Sequence, residues 1–95
     1  MLVLVQIDIS KANIALFDEY EARVLELLGD YGATLVERLR AADGNSEVHL
    51  LDFPDERAFQ AFRDDPTRAE LQDLWRSCAA TSMVTEMVRL AGPDA

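Results

Sequence analysis

Glu47-Val48-His49-Leu50-Leu51-Asp52-Phe53-Pro54 is the stretch whose reading decides the fold. It is largely apolar, and Pro54 has no N–H with which to continue a sheet ladder. It therefore reads as a central strand with a hard stop. It also holds the only histidine of the chain, His49, on the side shared by Leu51 and Phe53. Just upstream, Ala33 to Ala42 reads as a second strand, and Asp43-Gly44 between the two is a hairpin signal. If the loop is the tight type at Asp43-Gly44, counting outward pairs Arg40 with Glu47, Leu39 with Val48 and Arg38 with His49. A four-residue loop sets Arg40 across from His49 instead, and an odd loop sets a leucine there. The His49 side then also takes in Val36 and Arg38.

Working outward from the hairpin, Leu2 to Ile9 reads as a strand. Val3, Val5, Ile7 and Ile9 form one apolar face, while Leu2, Leu4, Gln6 and Asp8 form a mixed one. Asn13 suits a helix N-cap. From Ile14 the period changes: Ile14, Phe17, Tyr20, Val24, Leu27, Leu28 and Tyr31 recur at helical spacing. Gly32 suits the left-handed position that closes the helix. Beyond Pro54, Asp55 caps a short helix carrying Ala58, Phe59 and Phe62. Asp65 followed by Pro66 starts another, expected to run to Cys78 with Ala69, Leu71, Leu74, Trp75 and Cys78 buried. Thr81 to Leu90 is the last strand, ended by Gly92-Pro93.

Strand, helix, strand, strand, helix, strand is the ferredoxin-like βαββαβ order, an α+β fold with a four-stranded antiparallel sheet. Right-handed crossovers put the helices on one sheet face. The other face, with Leu2, Leu4, Leu35, Leu39, Val48 and Leu50, is left apolar and bare. A second copy of the chain is the economical cover, so a homodimer packed sheet to sheet is expected. The 95 residues suit one domain spanning 1–95. With 18 acidic against 9 basic residues, the net charge of −9 opposes nucleic acids and anionic membranes. One cysteine permits no internal disulfide, and no run is apolar enough to span a bilayer. The chain reads as a cytoplasmic protein. The carboxylates show no metal-ligand spacing, and Asp64-Asp65 is explained by helix capping.

Tyr31-Gly32, the stretch from Glu47 to Pro54, Ala58-Phe59-x-Ala-Phe62 and Asp65-Pro66 together resemble a family of short bacterial proteins of unknown function. That family lies in the dimeric α+β barrel superfamily, beside the antibiotic-biosynthesis monooxygenases and stress-responsive barrel proteins. The resemblance runs from Leu2 to Leu90. It implies a two-fold dimer whose sheets form a central barrel, with a pocket between sheet and helices in enzymatic relatives. Haem-degrading relatives carry a ligating histidine on the later helix. Asp55 to Cys78 has none, so a haem role is not expected, and no cofactor is assigned.

Three functions stay open. The first is binding of a small, largely apolar molecule between sheet and helices. By resemblance, the second is a cofactor-independent monooxygenase or isomerase acting on an aromatic or polyketide-like substrate. His49 would be its base, Arg38 or Arg76 would hold a developing oxyanion, and Tyr31 would orient the substrate. The third is a structural or regulatory dimer with a filled core. Against the catalytic reading of His49 stands the plain one, a core histidine satisfied by one hydrogen bond. Arg38 beside it would disfavour the imidazolium. Arg40 suits a cross-strand pair with Glu47. Tyr20, Tyr31, Phe53, Phe59, Phe62 and Trp75 would line the pocket if they are not simply the core.

Overall fold

The computed structural model describes residues 1–92. The chain runs β1 (Leu2–Asp8), α1 (Ile14–Glu26), a 3-10 turn (Leu28–Tyr31), β2 (Thr34–Arg40), β3 (Ser46–Asp52), α2 (Glu56–Arg63), α3 (Pro66–Glu70), α4 (Gln72–Cys78) and β4 (Thr81–Met87). The strands order as β2-β3-β1-β4, and each neighbouring pair is antiparallel. This is the expected ferredoxin-like α+β arrangement.

Strand alternation sorts the side chains into two faces. Val3, Ile7, Leu51 and Phe53 are buried against the helices. Val3, Leu51 and Phe53 meet Tyr20, Val24, Phe59, Phe62 and Leu71 in one core cluster, and Ile7 meets Ile9, Phe17, Cys78 and Ala80 in a second. The opposite face, including Leu39 and Met83, is open.

The helix starts follow the sequence signals. The Asn13 side chain accepts from the Leu16 N–H at 3.2 Å, and that of Asp55 from the Ala58 N–H at 2.8 Å. Asp65 accepts from the Thr67 N–H at 2.8 Å, with Pro66 opening α3. Gly32 closes the 3-10 turn at φ 66°.

The β2–β3 hairpin keeps the register of the tight count: Arg40 opposite Glu47, Leu39 opposite Val48, Arg38 opposite His49. The turn is nevertheless wider. The Ala41 N–H donates to the Ser46 carbonyl and the Gly44 N–H to the Ala41 carbonyl, with Gly44 at φ 78°.

Four expectations are corrected. A β-bulge between Leu35 and Glu37 puts Leu35 opposite Leu51, against the core, and leaves Val36 exposed. Neither residue therefore sits on the face that strict alternation gave it. The single helix expected from Pro66 to Cys78 breaks at Leu71, which leaves the helical path and sinks into the core, while Ala69 on α3 faces solvent. Ile14, at the first turn of α1, is exposed. Finally, β4 stops at Met87 because its partner β1 begins at Leu2, which pairs with Met87; Val88 and Leu90 are left exposed. Pro93 lies outside the described residues.

Candidate functional site

Among the described residues, three acidic or histidine side chains are buried beneath the helices: Glu21 from α1 and Glu47 and His49 from β3, at 5%, 2% and 2% exposure. Glu47 and His49 point inward because they share strand parity with Leu51. Glu21 points inward because it follows Phe17 by four positions and precedes Val24 by three.

Glu47 is the hub. It accepts from Arg38 Nε at 3.1 Å, from Arg40 Nε at 2.9 Å, and lies 2.5 Å from His49 Nε2. Arg40 continues outward to Asp18 at 2.8 Å. Burial pushes the Glu47 carboxyl up, but the hydrogen bonds from His49, Arg40 and Arg38 outweigh it and hold the group below its ordinary value. An ionised carboxylate only accepts, so the proton between them sits on His49 Nε2. That leaves the Nδ1 lone pair facing the other way.

What Nδ1 faces is Glu21, whose Oε2 is 3.7 Å off. Burial, then the negative charge of Glu47, raise the Glu21 carboxyl to about 7; the charges of Arg38 and Arg68 only partly offset this. Burial pushes the His49 imidazole below its ordinary value, with Glu47 pulling it back and the charges of Arg38 and Arg40 adding to the fall. The expected effect of Arg38 on His49 is therefore present but secondary to burial.

Glu21 and His49 open onto a cavity of about 250 Å³ between helices and sheet. Tyr20, Val24, Leu51, Phe59, Phe62 and Trp75 form its apolar walls, and Arg63, Arg68 and Gln72 its polar ones. The Tyr20 and Trp75 rings meet with centroids 5.0 Å apart.

Of the site residues expected from sequence, His49, Tyr20, Phe62 and Trp75 come together here. Arg38 belongs to the Glu47 cluster and does not line the cavity. Tyr31 donates its hydroxyl to Asp65, which satisfies its polar end away from the cavity. Phe53 is core, with ring centroids 5.2 Å from Phe59 and 5.4 Å from Phe62. Arg76 is exposed and paired with Asp73. Glu21, Arg63 and Arg68 are the residues the sequence reading missed. Glu21 had a signal, its position within the apolar stripe of α1. Among the described residues, no cluster of three or more histidine, cysteine, aspartate or glutamate side chains is arranged to hold a metal ion.

No protein-family model matches the chain, and no curated protein sequence does. Solved structures do. SnoaB, a cofactor-independent oxygenase from Streptomyces nogalater, superposes with a TM-score of 0.74 at 22% identity, over 97% of this chain and 96% of its own. The chain has the fold of the antibiotic-biosynthesis monooxygenases. A putative antibiotic biosynthesis monooxygenase from Deinococcus radiodurans gives 0.65 at 9% identity, over 97% of both chains. A monooxygenase from the gene ActVA-Orf6 of Streptomyces coelicolor, solved with the ligand nanaomycin D, gives 0.64 at 18% identity, over 97% of this chain and 91% of its own. This monooxygenase-type fold places a helix-covered sheet face where Glu21 and His49 lie. No helix among the described residues is long and apolar enough to cross a membrane.

Proposed function

We propose that the chain is a cofactor-independent oxygenase that removes a proton from a compact aromatic molecule bound in the Glu21–His49 cavity. The observation that carries this is the buried row Glu47–His49–Glu21, which ends at the cavity with a carboxyl poised near neutrality. A general base works best when its pKa lies near the operating pH. The likeness to a cofactor-independent oxygenase supports the reaction class, and the aromatic walls support the substrate class.

Glu21 is the proton acceptor at the cavity. His49 stands behind it, with Nδ1 unprotonated and 3.7 Å from the Glu21 carboxylate. Glu47, fixed by two arginines, holds the imidazole in that tautomer, as the carboxylate of a catalytic triad does. Deprotonation leaves a substrate anion that gives electrons to dioxygen. For a methylene, a C–O bond forms and water leaves, so one dioxygen yields one ketone and one water.

Oxygen uptake with anthrone, whose methylene is activated by its fused rings, tests this. Uptake by the parent should rise with pH through about 7 as Glu21 ionises. Glu21→Gln and His49→Ala should each lower it by about 10²-fold or more. Parent-like uptake in both variants would sink the assignment.

We also infer that two copies pack through the open sheet face. This rests on the exposed apolar residues there and on the dimeric barrel that the sequence resemblance implies.

A further inference from the structure

The cavity has a basic side, of which the proton chemistry above draws only on the charge of Arg68. Arg63, in the last turn of α2, and Arg68, on α3, both line it. Arg63 lies over the Phe59 ring at 5.5 Å and Arg68 over the Phe62 ring at 4.8 Å. Phe59 and Phe62 are buried cavity-wall residues, so each guanidinium is carried on an aromatic surface at the rim.

Neither arginine has a carboxylate partner within 4.0 Å among the described residues. Arg23, Arg38, Arg40 and Arg76 each do. Of the arginines without such a partner among the described residues, Arg63 and Arg68 are the two that line the cavity. Stacking leaves the edge of a guanidinium free, and that edge is the fork that binds a carboxylate through two parallel N–H donors.

We infer that the substrate carries a carboxylate, held at the rim by Arg63 and Arg68 while its aromatic body lies between Trp75 and the sheet. This rests on the reading of the cavity as the substrate site. It adds an orientation: the anionic end stays with the arginines, and the opposite end reaches Glu21. A second anionic group at the inner end would meet the Glu21 carboxylate and be repelled. The selected class is therefore a monoanionic aromatic acid with its reacting carbon or hydroxyl distal to the carboxylate.

Trp75 is the only tryptophan and lines the cavity, so its fluorescence reports occupancy directly. The probes are 2-naphthoate and its uncharged isostere 2-naphthamide, titrated into the full chain at pH 8. The naphthoate should bind at least about tenfold more tightly, and the advantage should shrink with added salt. Arg63→Gln with Arg68→Gln should bring the acid down to the level of the amide. Arg57→Gln, which removes a charge from α2 outside the cavity, should bind as the parent does.

Equal binding of acid and amide by the parent, which needs no variant to fold, would overturn the inference and leave the cavity reading standing. So would an equal loss in Arg57→Gln, since bulk charge would then explain the preference. Failure of both probes to change Trp75 fluorescence would overturn the cavity reading and this inference with it. Loss of oxygen uptake in the parent with naphthoate binding intact would strike only the proton chemistry.

Discussion

Glu21 couples the site to stability. A carboxyl whose pKa is raised by folding binds its proton more tightly folded than unfolded. Its contribution is present below the unfolded value, 4.5, and is lost as pH rises towards the folded value of about 7. At about 1.4 kcal/mol per pKa unit, the ionised carboxylate costs the folded chain up to about 3 kcal/mol above that window. His49 acts in the opposite sense: its lowered pKa makes stability fall as pH drops below about 6.5. Both the parent and Glu21→Gln keep His49, so their difference isolates Glu21. The variant should match the parent near pH 4 and be the more stable above pH 7.5, by urea denaturation at each pH. Equal pH curves would show that Glu21 is not desolvated as described. The same residue shows where the sequence reading of the site ran short. His49 stood out as a lone imidazole in an apolar strand. Glu21 sits among Asp18, Glu19 and Arg23, which are solvated, and only its spacing from Phe17 and Val24 separates it from them. Arg63 and Arg68 had no such pattern, because what gives them a role is the position of Phe59 and Phe62 beneath them.

At the level of the elements, two helix ends make opposite predictions from one backbone conformation. Gly32 closes the 3-10 turn at φ 66°, and a Cβ added there would lie 3.1 Å from Pro54 Cγ. Gly32→Ala therefore meets both the left-handed penalty and a close contact, and should destabilise by about 1–2 kcal/mol. Ala79 ends α4 at φ 60°, exposed, with the Cβ penalty already present. Ala79→Gly should stabilise by about 0.5 kcal/mol, the relief being partly offset by the greater freedom of glycine when unfolded. Both are read from the midpoint of urea unfolding at unchanged slope. Gly32 was legible in sequence because glycine after an amphipathic run marks a helix end; Ala79 was not, because alanine is not the residue of that conformation. The same contrast runs through the fold. Asn13, Asp55 and Asp65-Pro66 announced their helices through local chemistry, and Asp43-Gly44 marked the hairpin, while which residue faces His49 depended on a loop length that the sequence left open. The bulge at Val36 and the break at Leu71 depend on tertiary packing, on how Leu35 meets Leu51 and how Leu71 enters the core. No local pattern records either.

For the whole molecule, the question is what covers the open sheet face. Its centre is apolar: Leu4 on β1 pairs with Leu50 on β3, and the neighbouring positions Val48, Leu39 and Met83 extend the patch, the last two at 56% and 58% exposure. Its margins are acidic, with Glu37 opposite Leu50 on β2 and Asp8 and Asp52 at the strand ends. Two chains of net charge −9 repel at long range, so association must come from the apolar centre. Light scattering at micromolar concentration should therefore return about twice the 10.6 kDa chain mass. Added salt should tighten the dimer, since it screens the acidic margins and leaves apolar burial intact. Leu4→Glu places a charge at the centre of the face while leaving Val3 and Val5 on the core side untouched. It should return a folded monomer by circular dichroism and scattering, with a melting temperature that no longer rises with protein concentration. A parent that stays monomeric, or a Leu4→Glu variant that still pairs, would mean that this face is not the one through which the chains meet.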